Sequence, residues 1–340
     1  MSNIAHHLRD NGLFLRRRDL ISAGFTSAEL RSALGDHSIF RVRQGWFTVP
    51  AAPEDAIRAV RIGGRLTGLS ALSSYGVWTP RSLRLDVAVP TDARALRTPN
   101  DMRKRLVDTD AAGCTISWTD DSATRRPPHT WRVPIHEALL RVLHTGDLLT
   151  VVTCVDSVLN LHRRRVLRFG EDAVDRVFAA GPKRVHRWRE LVDGRADSGG
   201  ETEFRLRCRA RGIPFRPQSS VPGVGRVDGR IGPTTFVEID GAATHDTPEG
   251  FAEDRRRDLA MAVGGRRPLR FTYRQIHDEW RWCEAGMCAA LALDPGFSTR
   301  ERSYWRARSL VPTQNDGDFA RFCPFPAENE LFRRNLRRFE

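Results

Sequence analysis

Residues Val227–His245 read VDGRIGPTTFVEIDGAATH, and they constrain the chain more than any other stretch. The run Thr235–Asp240 is rich in β-branched and aromatic residues, as a strand requires. Gly232–Pro233 is a turn signal, and Gly225–Ile231 precedes it as the partner strand. A two-stranded hairpin is therefore expected. Side chains alternate faces along a strand, so Glu238 and Asp240 share one face and Ile239 takes the other. A turn at Gly232–Pro233 sets Asp228 roughly across from Glu238. Like charges placed opposite one another destabilise a sheet. A divalent cation relieves that repulsion, and hard oxygen donors suit Mg²⁺. Such an ion activates water and steadies the leaving oxygen in phosphodiester hydrolysis. Exposed carboxylates on a sheet edge are the alternative reading for each acid taken singly.

The spacing Asp-x9-Glu-x-Asp resembles the PD-(D/E)xK nuclease pattern, with Asp240 where that superfamily usually has lysine. His245, five residues past Asp240, can take a proton from water near neutral pH; on its own it also reads as a polar loop residue. The ordered blocks SGGETEFRLRCRARGIPFRPQ, VPGVGRVDG, FVEIDGAATH, FAEDRRRD and LRFTYRQI run through residues 198–276. This set resembles the actinobacterial domains similar to the very-short-patch-repair (Vsr) endonuclease. The resemblance implies a restriction-endonuclease-like mixed sheet with flanking helices. It also implies catalytic roles for Glu201, Asp228, Glu238, Asp240 and His245, with Mg²⁺ (or Mn²⁺) held by Asp228, Glu238 and Asp240. Vsr proteins carry a structural zinc cluster, and no Cys/His grouping in this sequence matches one, so mismatch repair is not carried over.

Glu201 has two readings. Ser198-x-x-Glu201 is a capping box that opens a helix, which Gly212 and Pro214 end. Capping accounts for the glutamate by itself, and the resemblance adds an auxiliary place near the metal. Beyond His245 a further helix is expected, with Thr247 as its cap and Pro248 at its first position. Arg255, Arg256 and Arg257 on this helix are candidate phosphate contacts next to the metal site, or else part of a solvated basic face. Leu269–Tyr273 reads as a strand, followed by one helix from Arg274 to about Leu291; Gln275 at its start can approach the site or simply open the helix.

The N-terminal region carries a second pattern. Arg18–Ala23, a turn at Gly24–Phe25, the capping box Thr26-x-x-Glu29, and two short strands around Gln44–Gly45 describe a winged helix-turn-helix. The block SIFRVRQGWFTVP resembles the wing of the AbiEi-type antitoxin N-terminal domain. Residues 27–34 are then the recognition helix, with Ser27 and Arg31 outward, and Arg41 and Arg43 lie on the wing. A helix–hairpin module for protein contact is the alternative. Residues 54–78 read as two helices broken at Gly63–Gly64, followed by a strand near Leu83–Pro90.

The formal net charge is +13, which favours polyanionic partners, DNA first among them. Only Lys104 and Lys183 are lysines. An arginine bias of this kind fits a GC-rich genome, so it weighs less as evidence of binding. The six cysteines lack metal-site spacing, which suits reduced thiols in the cytoplasm. No stretch has signal-peptide or membrane-span character, so no membrane partner is expected.

The expected fold class is α/β in a multidomain α+β chain. It comprises an AbiEi-like winged helix-turn-helix region (1–90), a mixed strand/helical connector (91–195), a Vsr-like nuclease domain (196–293) and a tail that may be disordered (294–340). The expected function is Mg²⁺-dependent endonucleolytic cleavage of DNA. The alternative is a DNA-binding regulator or antitoxin-like protein with a degenerate nuclease domain and an unidentified toxin–antitoxin or defence partner. RNA cleavage is a weaker third.

Overall fold

A computed structural model describes residues 3–119, 131–240 and 248–309. The chain divides into two compact units. One runs to Thr145 and takes in Arg176–Pro182; the other comprises Gly146–Asp175 and the chain from Lys183 onward. Helices and strands are mixed in both, in keeping with the α/β expectation. Among the described residues no helix is long and apolar enough to cross a membrane.

The first unit opens with α1 (Asn3–Asp10), whose Ile4, Ala5 and Leu8 are buried at helical spacing. Then come β1 (Leu15–Arg16), α2 (Arg17–Ser22) and α3 (Ser27–Gly35). Gly24, at φ +94°, makes the turn between the two helices in a conformation open to glycine. Thr26 caps α3 as expected: Glu29 N–H donates to its hydroxyl at 3.2 Å, and its own N–H donates to the Glu29 carboxylate at 2.7 Å. β2 (Phe40–Arg43) and β3 (Trp46–Thr48) form an antiparallel hairpin, and β1 pairs with the outer side of β3. Leu20, Leu30, Ala33, Ile39, Val42 and Phe47 close the core beneath them.

α4 (Glu54–Ile62) ends on Gly63 at φ +119°, a left-handed cap. β4 (Arg65–Leu66), α5 (Gly68–Ser74), β5 (Leu85–Pro90) and β6 (Cys114–Thr119) follow. The strands form a sheet in the order β4-β5-β6, antiparallel then parallel. α6 (Ile135–Thr145) packs on α5.

The second unit begins with α7 (Leu148–Arg163), and α8 (Glu171–Ala180) spans the division between the units. A 3₁₀ helix occupies Lys183–Leu191. After α9 (Gly199–Ala210) come β7 (Arg216–Val221), β8 (Gly225–Arg230) and β9 (Thr235–Asp240). The helix α10 (Pro248–Val263) then leads to β10 (Arg267–Thr272). These four strands form one mixed sheet, order β10-β9-β8-β7, in which only β10 and β9 are parallel. Alternation along β9 feeds two cores. Val237 joins Phe204, Phe271 and Trp280 on one side, while Phe236 joins Val221, Val227 and Met261 on the other.

Three expectations are corrected in this unit. The connector expected over 91–195 is divided between the two units, the second taking Gly146–Asp175 and the chain from Lys183. Asp156 on α7 accepts from Thr202 Oγ1 (2.8 Å) and from the Arg205 guanidinium (2.7 Å), both on α9, and from the Asp193 N–H (2.6 Å). These bonds tie α7 into the second unit. The single helix expected from Arg274 is two, α11 (Tyr273–Asp278) and α12 (Trp280–Ala292). They part at Glu279, whose φ of −125° and ψ of 32° leave the helical region. The domain also does not stop at residue 293. Asp294 is fully buried and accepts from Thr234 N–H (3.0 Å) and Thr235 Oγ1 (2.8 Å), which pins the β8–β9 turn. α13 (Thr299–Ser309) drives Trp305 into the main core at 0 % exposure. That helix is otherwise almost wholly polar, so it shows little apolar periodicity. Beyond Ser309, the expected tail lies outside the described residues.

Candidate carboxylate site on the mixed sheet

The β8–β9 ladder pairs Arg230 with Phe236 and Gly229 with Val237. The ladder ends there, one residue short of Asp228 and Glu238. There a side chain takes over the ladder: Ile239 N–H donates to Asp228 Oδ2 at 2.6 Å. Burial pushes the Asp228 carboxyl up, opposed by the Ile239 N–H; the charges of Asp197 and Asp240 push the same way as burial.

Glu201 stands in the first turn of α9, at 5 % exposure. Ser198 caps the helix, with Glu201 N–H donating to Ser198 Oγ (3.2 Å), but the expected capping box is altered: the Glu201 carboxylate accepts from the Ser198 hydroxyl (3.0 Å at Oε1) and reaches one residue further back along the backbone. Its other oxygen, Oε2, accepts from Asp197 N–H (3.0 Å) and Gln218 Nε2 (2.8 Å). Burial first, then the negative charge of Asp228, push Glu201 up to about 7. The cap therefore stands within electrostatic reach of the hairpin acid, and the two readings of this residue describe one position.

Glu238 is held by arginine. Arg257 from α10 donates to Oε1, and Arg270 from β10 reaches Oε2 at 2.9 Å. Arg270 is the register partner of Glu238 across the parallel pair and also reaches Asp258 at 2.9 Å. Burial raises Glu238, the two arginines oppose that rise, and Asp228 and Asp240 add to it. Four acids, Glu201, Asp228, Glu238 and Asp240, thus share one electrostatic neighbourhood in which Asp228 is the common member.

The donor set is all carboxylate oxygen, the chemistry that suits Mg²⁺. Its pairing is another matter, because both Glu238 oxygens are engaged by guanidinium groups. Among the described residues, no group of three or more Asp, Glu, His or Cys side chains gathers closely enough to hold a metal ion. His245 and Thr247 lie outside the described residues. Gln275 is used in a second capping box, its Oε1 accepting from Thr272 N–H at 2.9 Å.

Of the residues expected to meet nucleic acid, Arg31 and Arg41 are exposed, with Arg41 over the Phe47 ring at 5.8 Å. Arg43 is not presented in the same way. It is half-buried, and its guanidinium packs onto Gly63, which has no Cβ to exclude it. Arg255 and Arg256 are exposed on α10, and Arg255 pairs with Asp258 at 3.4 Å.

Sequence reasoning did not single out Gln218 or Arg270 as parts of this site, and it placed Arg257 in a row of phosphate contacts rather than on Glu238. The two-residue alternation in Leu269–Thr272 does set Arg270 apart, but its partner depends on a parallel pairing made across a helical crossover. No known family model matches the chain, and no curated protein matches it either.

Proposed function

We propose that this chain is a Mg²⁺-dependent DNA endonuclease whose N-terminal module docks on DNA. The observation that carries the reading is the shared field of Asp228, Glu238 and Asp240 on the mixed sheet and Glu201 on α9 beside it, three of them shifted upward by burial and by neighbouring acids. Desolvated like charges cost stability, and perturbed acids of this kind cluster at working sites. Asp228 and Glu238 would hold the ion, with Asp240 ligating or orienting. When bound, Mg²⁺ supplies an activated water and charge stabilisation at the phosphate. Glu201, whose carboxyl is pushed up to about 7 by burial and by the charge of Asp228, would be auxiliary. Arg257 and Arg270 keep Glu238 aimed and neutralised in the metal-free protein. Arg255 and Arg256 are proposed phosphate contacts, and His245 a proton acceptor. The sheet with α9 before it is compatible with a restriction-endonuclease-like fold. The order α1, β1, α2, α3, β2, β3 supports a winged helix-turn-helix, with Arg31 and Arg41 toward DNA.

A second reading is favoured by one observation: both Glu238 oxygens already have cationic partners. On that reading the arginines have replaced the metal for good, and the chain is a DNA-binding regulator with a silent nuclease domain. A Mg²⁺-dependent nicking assay on supercoiled plasmid separates the two. The endonuclease reading expects relaxed circles from wild type and none from Glu238→Ala. Equal, metal-independent backgrounds from both proteins would leave the regulator.

A further inference from the structure

Within the first unit, α4, α5 and the segment leading into β5 line a cavity of about 300 Å³. That is the size at which small-molecule sites begin. Three guanidinium groups line it, those of Arg58, Arg81 and Arg84, against a single carboxylate, Asp55. Arg58 already matches Asp55 at 3.3 Å, so the excess charge of the lining is positive.

The remaining two cations differ in how they are held. Arg84 is braced on β6, its Nε donating to Thr115 Oγ1 (3.2 Å) and its Nη2 to the Cys114 carbonyl (2.5 Å). It also reaches Asp110 at 2.9 Å, but that acid lies outside the lining with its side chain 85 % exposed, where solvent screens the pair. Arg81 is exposed and makes no ion pair or hydrogen bond with any described residue. Hydroxyls add further donors. Ser70 Oγ accepts from the Asp86 N–H at 2.9 Å, which leaves its own hydrogen unspent. The Ser73 and Thr79 side chains make no hydrogen bond to any described residue. Leu69, Leu83 and Leu85 supply apolar wall between these groups.

We infer that this cavity binds a small organic phosphate. Guanidinium forks and hydroxyl donors are the groups that take phosphate oxygens, and Arg81 is the one cation of the lining with no other engagement among the described residues. An inorganic phosphate ion is too small to fill the space, and the leucines cover a compact apolar body such as a nucleoside. A concave, leucine-walled site fits one nucleotide-sized ligand better than the rigid backbone of a duplex. The inference concerns the first unit alone and does not depend on the hydrolytic reading of the second.

The test is calorimetric titration of the full chain, wild type and Arg81→Ala, with adenosine monophosphate, inorganic phosphate and adenosine as probes. Wild type is expected to bind adenosine monophosphate, to bind inorganic phosphate more weakly and to give no heat with adenosine. Arg81→Ala should melt at the wild-type temperature, because the side chain is exposed and unpaired among the described residues. It should bind adenosine monophosphate about tenfold more weakly, the scale of a lost hydrogen bond to a charged group. No binding of adenosine monophosphate, adenosine bound as tightly as its phosphate, or an affinity unchanged in Arg81→Ala overturns the proposal. A short DNA duplex that displaces adenosine monophosphate and binds more tightly through Arg81 overturns it in favour of a nucleic-acid contact.

Discussion

Arginine serves differently in the two units. In the first, Arg31 on α3 and Arg41 on β2 are exposed to solvent. In the second, arginines turn inward onto acids. Arg205 meets Asp156, Arg207 meets Glu203, Arg211 and Arg308 meet Glu284, and Arg257 and Arg270 meet Glu238. Asp156, Glu203 and Glu284 are all nearly inaccessible. A net charge of +13 is therefore not a map of polyanion contact. These six arginines of the second unit serve as structural counter-charge, so the part left to meet DNA is smaller than the composition suggests.

The strongest way to break this contrast is to delete an inward arginine. Arg207 donates through Nε (2.9 Å) and a terminal nitrogen (2.8 Å) to Glu203, whose side chain is 1 % exposed. Arg207→Ala would remove the guanidinium and leave that buried carboxylate beside the His277 ring, whose Nδ1 is 3.1 Å away, at a cost of about 3 kcal/mol, the low end for breaking a buried pair. Urea unfolding of the two proteins measures it; a loss below 1 kcal/mol would mean the inward pairs are ornamental.

The next effect sharpens the picture of the site through pH. Glu201 ionises near 7 in the folded chain against an ordinary value of 4.5. Its folded form keeps the proton more tightly, so its contribution is fully present below about pH 4.5. It is lost as pH rises through 7. The linkage amounts to about 3 kcal/mol across that window. Glu201→Gln, which has no proton to lose, should flatten the fall in melting temperature between pH 5 and pH 8; an unchanged slope would place the neutral-range titration elsewhere.

The smallest effect on stability belongs to the outward pair. Arg31→Ala with Arg41→Ala should change folding stability by no more than about 0.5 kcal/mol. DNA affinity should fall, and the slope of log K against log salt should shrink by about 1.8 if each residue neutralises one phosphate. Filter binding across a salt series reads both; an unaltered slope would remove the N-terminal module as the DNA reader.

Much of this was legible because the decisive signals are local. The bounds of β9 and the Gly232–Pro233 turn follow from residue types within ten positions, as do the capping box at Thr26 and the Ser198 cap. β7 was hidden because it is a polar edge strand containing Pro217, a residue only an edge accepts readily. α7 was hidden as part of this unit because the Asp156–Arg205 tie joins positions far apart in sequence. The hold of Arg270 on Glu238 rests on a strand register that no local pattern encodes. α13 was hidden because one buried tryptophan fixes it. At Glu201 both signals were visible, cap and acid, and only the fold brings them together beside Asp228.

The most direct test of the central claim is melting of the full chain with and without millimolar Mg²⁺, in wild type and Asp228→Asn. Asparagine keeps an oxygen for the Ile239 N–H and removes the charge common to the four acids. Binding to the folded state alone raises stability by about 2.7 kcal/mol at a hundredfold excess over the dissociation constant. The account predicts that Mg²⁺ raises the wild-type melting temperature, and that Asp228→Asn melts higher than wild type without metal and does not respond to it. A wild type indifferent to Mg²⁺, or an Asp228→Asn that melts lower and still responds, would contradict it.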